Sequence, residues 1–329
     1  MGIRDRHSFS EANFAAQSHP SFESAWLRLL QAQASDENIP ALGLLPSTKP
    51  IKISDLVRFL ENPGRCFANQ SLGLYLHDYD LDLEDNEPFN SSKLVEYKLR
   101  DQMLSAVLSD EPRACELVRQ EYQLNGQLPE SHLTHNIIQT SLDQAEELVD
   151  ELRKLDYEEL QNYPVSLDIA GVTIADQIAL LGDPADDNSA IKTILNRPTK
   201  FKPKDRLNLW LTSLVAQVAF GQPVSGVSVH LEKNLELQGL ENATDQLSKV
   251  IEIYKLGLNQ ALPLDAELGL DFLKVDPQDT DKRLSQWQKK WHHHKYSQSF
   301  DFSSDPYRRW LWPQAPLLDD WHESFAEIY

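Results

Sequence analysis

The stretch from Thr134 to Leu231 constrains the fold more than any other, because its hydrophobic period changes in a definite order. From Thr134 to Lys154, the residues Ile137, Ile138, Leu142, Ala145, Leu148, Val149 and Leu152 recur at three- and four-residue spacings, which predicts an amphipathic helix. Val165, Leu167 and Ile169 then alternate, Gly171 permits a tight turn, and Val172 to Ile178 alternates again, so a hairpin is expected. Beyond the loop Asp183-Pro184-Ala185-Asp186-Asp187-Asn188, the run Ile191 to Leu195 reads as a third strand. Asp205 to Phe220 reads as a helix ended by Gly221, and Val227 to Leu231 as a fourth strand. Helix, strand, strand, strand, helix, strand predicts an α/β protein, with a mixed sheet flanked by helices and additional helical regions around it.

At 329 residues the chain is longer than one ordinary domain of about 100–200 residues. Residues 1–50, with Pro20, Pro40, Pro46 and Pro50, read as an arm whose one helix runs from Phe22 to Gln33. Residues 51–130 read as a helical subdomain, and residues 131–329 as the α/β domain with C-terminal helices. In the subdomain, the helix containing Asp55 to Leu60 should stop near Asn62, because Pro63 disfavours helix at the residue before it. Pro63 can open a second helix with Phe67 and Leu72 facing inward. Helices from Ser91 to Leu108 and from Pro112 to Asn125-Gly126 follow; later ones are expected from Ala243 to Leu258 and from Asp281 to His292. No run approaches the ~18 apolar residues of a membrane span, and the first residues lack the apolar core of a secretory signal, so a cytoplasmic protein without membrane contact is expected. Cys66 and Cys115 are too few for a disulfide framework or a zinc cluster and read as small apolar side chains inside helices.

The order of elements is also that of the PD-(D/E)XK nuclease-like folds, an analogy at the level of fold. A metal-dependent nuclease of that topology has an Asp on the second strand and an acid two residues before a Lys on the third; the carboxylates hold Mg²⁺, which activates water. Asp176 falls at the first position, but the third strand reads Ala190-Ile191-Lys192, so the lysine remains and the acid has become alanine. One carboxylate is a poor Mg²⁺ site, and Asp186 or Asp187 in the preceding loop would have to move in, whereas loop aspartates ordinarily serve turns. Asp176, Ala190 and Lys192 are therefore read as degenerate nuclease positions, with no catalytic residue and no bound metal expected. Asp78, Asp80 and Asp82 fail as a calcium loop, since its sixth and twelfth positions would be Leu83 and Phe89, and read instead as a charged edge strand or a docking segment for a basic partner. His292-His293-His294 reads as a solvated helix end, because adjacent side chains on a helix point in different directions. No Walker A sequence, dinucleotide glycine motif or nucleophile elbow occurs, and no cofactor is expected.

The formal charge of −20, from 31 basic and 51 acidic residues, opposes nucleic-acid binding by the chain as a whole. Two segments run against it. Lys192, Arg197, Lys200, Lys202, Lys204 and Arg206 gather around Phe201, a composition suited to phosphate contact with base stacking. Lys282, Arg283, Lys289, Lys290 and Lys295 flank Trp287 and Trp291, whose i, i+4 spacing is also that of a core contact. The DNA-contact candidates are Arg197, Lys200, Phe201, Lys202, Lys204 and Arg206.

The segment Asp55-Leu56-Val57-Arg58-Phe59-Leu60-Glu61-Asn62-Pro63-Gly64-Arg65-Cys66-Phe67, followed by Leu72-Gly73-Leu74, resembles the RecC family, the gamma subunits of RecBCD-type exodeoxyribonuclease V. Arg58, Phe59, Pro63, Arg65 and Phe67 carry most of the motif. Arg6-His7-Ser8-Phe9-Ser10, Phe14, Ser21-Phe22 to Trp26, Asp85-Asn86-Glu87-Pro88-Phe89, Leu94, Tyr97, Gly126-Gln127-Leu128-Pro129, Leu209-Trp210-Leu211, and Asp305-Pro306-Tyr307 with Trp310 are similar in the same order. The resemblance implies the C-terminal third of a RecC-like protein, with a nuclease-like fold lacking a working site. It further implies a non-catalytic scaffold that guides double-stranded and unwound DNA and holds RecB-like and RecD-like partners during double-strand-break repair by homologous recombination. An active Mg²⁺-dependent nuclease using Asp176 and Lys192, and a protein-docking fragment without DNA contact, are the alternatives.

Overall fold

The computed structural model describes residues 49–76, 93–128, 132–186, 189–263, 279, 281–282, 285 and 305–312. The helix expected from Phe22 to Gln33, the acidic run at 78–85, Asp187, Trp287, Trp291, the histidine run and most of the second basic segment lie outside the described residues. Helices α1 (Ile53–Glu61) and α2 (Pro63–Cys66) meet at Asn62, where Pro63 ends one helix and opens the other. The Asn62 side chain accepts from the Arg65 backbone N–H at 2.9 Å. Phe67–Ser71 continues as one π-helical turn. Phe67 is buried as expected, whereas Leu72 lies 36% exposed beyond the turn, because the wider π spacing carries it off the inward face.

Helices α3 (Lys93–Leu108), α4 (Ala114–Leu124) and α5 (His132–Arg153) follow, and then strands β1 (Gln161–Ile169) and β2 (Val172–Leu180). These pair antiparallel in full register through a two-residue turn in which both Ala170 and Gly171 have positive φ. Strand β3 (Ile191–Asn196), helix α6 (Pro203–Phe220) and strand β4 (Val224–Val229) complete the expected order. Strand β4 pairs parallel with β3, and antiparallel with β5 (Leu235–Leu237), a short strand the sequence pattern does not predict. The protein is therefore α/β, but the expected single mixed sheet is divided into an antiparallel pair and a mixed three-stranded sheet. One antiparallel bridge, Leu181 to Lys192, joins them. Helices α7 (Ala243–Asn259) and α8 (Pro306–Leu311) follow.

Each side of the strands has its own apolar cluster. The first unites Leu56, Phe59 and Leu60 of α1 with Ile174 and Ile178 of β2, Leu211 and Leu214 of α6, and Val250 and Ile251 of α7. The second unites Leu99 and Met103 of α3, Tyr122 of α4, and Ile138, Leu148 and Leu152 of α5 with Ile194, Val227 and Val229 from the sheet. Cys66 is buried in the first cluster, where loss of hydration pushes its thiol up to about 11, so it stays protonated and apolar in behaviour.

Candidate nucleic-acid interface

Side chains alternate across a strand, so the apolar neighbours of Asp176 and Lys192 show which face each occupies. Val172, Ile174, Ile178 and Leu180, which share the parity of Asp176, belong to the first cluster, as does its cross-strand partner Val165. Lys192 pairs with Leu181 and lies two residues before Ile194, and both of these pack in the second cluster. Asp176 and Lys192 thus sit on opposite faces. Along β2, Asp176 is also five residues from Leu181, about 17 Å at ~3.4 Å per residue.

Both carboxylate oxygens of Asp176 are engaged locally. Oδ2 accepts from the Ile53 backbone N–H at 3.0 Å, across 123 residues of sequence, and Oδ1 accepts from the Gln177 backbone N–H at 2.9 Å. Ile53 is the first residue of α1, so the carboxylate takes one of the N–H groups that a helix start leaves unbonded. Ala190 is exposed, and its carbonyl oxygen lies 2.7 Å from where a side chain on Gly182 would begin, in a turn that only glycine fits. Asp186 lies in that turn, accepting through its backbone carbonyl from Ser189 N–H at 2.9 Å. Among the described residues, no group of three or more His, Cys, Asp or Glu side chains is placed to hold a metal ion.

The basic segment is brought together at the start of α6, but several of its charges are matched. Asp205, 4% exposed, is a buried carboxylate: it accepts from the Lys202 backbone N–H at 3.0 Å and lies 3.5 Å from Arg197 Nε. Lys200 pairs with Glu232 at 2.5 Å, and Lys204 approaches Glu61 of α1 at 3.9 Å. Lys202 and Arg206 are exposed, and no ion pair among the described residues engages either. The Phe201 ring meets His230 edge-on at 5.5 Å, so only part of it faces solvent.

His230 is a residue the sequence pattern does not single out. It is buried at the end of β4, and its Nε2 shares a 2.9 Å hydrogen bond with Ser228 Oγ. Burial holds its pKa below the ordinary value, with the nearby Asp205 carboxylate pulling the other way. Arg100 of α3 fixes the same loop from the far side, donating to Pro198 carbonyl at 2.9 Å and to Gln144 Oε1 at 2.6 Å. The sign that could have revealed Asp205 is its place three residues after Lys202 at a proline-led helix start, where an acidic side chain reaches back to the backbone. Nothing in a single sequence marks Arg100, because its partners lie 44 and 98 residues away, and although His230 bonds Ser228 two residues before it, the ring it packs against, Phe201, comes from a loop on the other side of α6. Beside this loop lies a cleft of about 450 Å³ lined by Glu147, Asp150, Glu151 and Glu232 against Lys154 and Lys233, a charge balance that repels phosphate.

The motif residues serve the core and its seams. Phe59 is fully buried and meets Tyr254 edge-on at 5.1 Å, Pro63 and Phe67 are buried, and Arg58 pairs with Asp55 at 3.1 Å on the surface. Arg65 lies over the Tyr307 ring, 5.6 Å from its centre. Asn62 donates to Asp305 Oδ2 at 3.1 Å, and Trp312 fills the space left by the absent side chain of Gly64. Two stretches about 240 residues apart thereby form one structural seam.

The class defined is an α/β module whose Asp176 carboxylate is tied into a helix start and whose described residues assemble no metal site. Residues 48–276 match the RecC C-terminal domain family, well over half of the chain, and the protein belongs to that family. It is 23% identical over 277 residues to the RecBCD enzyme subunit RecC of Escherichia coli strain K12, covering 83% of this chain and 24% of that protein. It is 24% identical over 305 residues to the RecBCD enzyme subunit RecC of Haemophilus influenzae, covering 87% of this chain and 25% of that protein. The chain thus spans about a quarter of the length of these curated relatives. The solved structure titled "Crystal structure of SSO0001" is 13% identical, covering 72% of this chain and 89% of that one, with a TM-score of 0.28, too low to bear on the fold.

Proposed function

We infer that this chain acts as a non-catalytic scaffold and DNA-guiding module of a RecBCD-type exonuclease V complex, within double-strand-break repair by homologous recombination. The observation that carries the non-catalytic half is the placement of Asp176 and Lys192 on opposite faces, with the Asp176 carboxylate occupied by the backbone of α1. A two-carboxylate-and-lysine site needs all three groups around one metal-bound water, and here the nearest candidates are separated by the sheet itself. The order of elements supports reading the domain as a degenerate PD-(D/E)XK core, in which the vacated site has been turned into a helix tether.

For DNA guiding, the support is the exposed Lys202 and Arg206 at the start of α6 together with family membership. RecB-like and RecD-like subunits are the partners this reading requires, and the partly unpaired leucine surface on α3 and α4 is consistent with a protein partner. The test is reconstitution. Purified chain, mixed with RecB-like and RecD-like subunits, is expected to co-elute with them and to leave linear DNA intact with Mg²⁺ when incubated alone. Cleavage by the chain alone that disappears in Asp176→Ala would establish the nuclease reading instead, and failure to co-elute would remove the scaffold reading.

A further inference from the structure

The carboxylates that meet the basic loop differ in how firmly they hold it. Asp205, 4% exposed, accepts from the Lys202 backbone N–H and lies 3.5 Å from Arg197 Nε, so it is built into the loop. Other bonds fix the loop backbone. Arg197 N–H donates to the Val229 carbonyl at 3.0 Å, Leu231 N–H donates to the Thr199 carbonyl at 3.2 Å, and Arg100 holds the Pro198 carbonyl. Glu232 and Glu61 stand apart from this framework. Glu232 follows Leu231 and meets Lys200 with both side chains in water, 60% and 74% exposed. Glu61, the last residue of α1, lies 3.9 Å from Lys204, and both of these side chains are close to half exposed. An exposed pair of this kind favours the paired state by at most about fivefold, so a competing anion displaces it readily.

We propose that Glu232 and Glu61 are internal competitors for the phosphates of a nucleic-acid backbone. In the free chain each carboxylate takes a lysine that a phosphate would take, and binding exchanges one for the other. Four exposed cations, Lys200, Lys202, Lys204 and Arg206, fall within the seven residues 200–206 at the start of α6, and two of the four are engaged in this way. Phosphates displace the carboxylates because they arrive as a chain of charges whose neutralisation releases condensed counterions, a gain that a lone glutamate does not supply. The loop backbone is held by its own bonds, so exchange needs only long exposed side chains to turn. The displaced carboxylates remain beside the strand and limit its affinity, which keeps the strand releasable. This rests on the DNA-guiding reading above and adds what sets the strength of that contact.

The test uses the full chain and a labelled short DNA duplex, followed by fluorescence anisotropy at about 50 mM salt, where phosphate contacts are little screened. Glu61→Gln with Glu232→Gln keeps the size of both side chains and is expected to tighten binding about tenfold. In a Lys200→Gln, Lys204→Gln background, where Lys202 and Arg206 still meet the strand, the same two changes are expected to alter affinity less than about twofold. Thermal melting of each variant is expected to match the parent, since all four positions are exposed. Unchanged affinity in the glutamine double variant overturns the competition. An equal gain in both backgrounds also overturns it, because net charge alone then accounts for the effect. Either result leaves the DNA-guiding reading in force if Lys202→Glu with Arg206→Glu abolishes binding. Binding by the glutamine double variant where the parent shows none supports the competition. No binding by any of these proteins overturns the competition and the DNA-guiding reading together.

Discussion

Residues 51–71 and 93–128 are both helical and were expected to form one subdomain, yet they enter different cores. The first stretch crosses to the hairpin: Ile51 bridges Ile174 of β2, Asp176 holds the start of α1, and Phe59 reaches α7. The second covers the opposite side through α5 and leaves Leu94, Leu117 and Leu124 exposed on its own outer surface. Long-range ties concentrate in the first, and spare apolar surface remains on the second. The difference teaches that the first stretch is part of the domain's core, whereas the second is a layer with one face still to be used.

The largest effect expected from breaking this contrast is Phe59→Ala. The ring is fully buried, meets Tyr254, and lies so close to Gly257 that a side chain there would begin 2.4 Å from it. Emptying such a site costs about 3–5 kcal/mol, read as a lowered urea midpoint with an unchanged slope. A loss under about 1 kcal/mol would mean that the first stretch is as loosely attached as the second.

Asp176→Ala is expected to cost less, about 1–2 kcal/mol, because it strips an acceptor from the first N–H of α1 and leaves that group partly buried and unbonded. Asp176→Asn keeps an oxygen acceptor but loses the charge that a helix start favours, and should fall between the two. Denaturant unfolding of the three proteins orders them. An Asp176→Ala chain as stable as the parent would show that the start of α1 is held without this carboxylate.

Local periodicity made the order and most of the bounds of the central elements legible: the helix expected from Thr134 to Lys154 is His132–Arg153, and that from Ala243 to Leu258 is Ala243–Asn259. Pro63 correctly placed the break after α1. What could not be read is what depends on pairing between distant residues. Asp176 looks like a second-strand metal ligand in sequence because its real partner, Ile53, is 123 residues away and contributes only backbone. The basic segment looked free because Glu61, Asp205 and Glu232 approach it only in three dimensions. Strand β5 was missed because three residues are too short for an alternation to show.

A third test concerns pH on the loop that carries the basic segment. His230, just past β4, meets Ser228 of that strand, Phe201 and the Thr199 backbone from the loop, and the charges of Arg197 and Asp205. Its native pKa is held below the ordinary 6.5, chiefly by burial, so on acidification the unfolded chain takes the proton first. The stability this histidine contributes is therefore complete above 6.5 and declines as pH falls through 6.5 toward the lower native value. Between about pH 7.5 and 5.5 the parent should lose stability more steeply than His230→Gln, measured by urea midpoints. A parallel decline in the two proteins would show that the loop does not depend on a neutral imidazole.

The smallest effect is expected on the outer face of the second stretch. Leu117 and Leu124 lie seven residues apart on α4, on one side of the helix, and Leu124 is 86% exposed. Replacing both with serine removes little buried surface, so the change in unfolding free energy of the chain alone should stay within about 0.5 kcal/mol per site, helix propensity included. This near-neutrality separates the two stretches: substitutions that are silent in the isolated chain but weaken co-elution with RecB-like and RecD-like subunits would place a partner on this face. A large loss of stability in the isolated chain would instead show that the leucines already have cover, and that the second stretch is tied as firmly into the domain as the first.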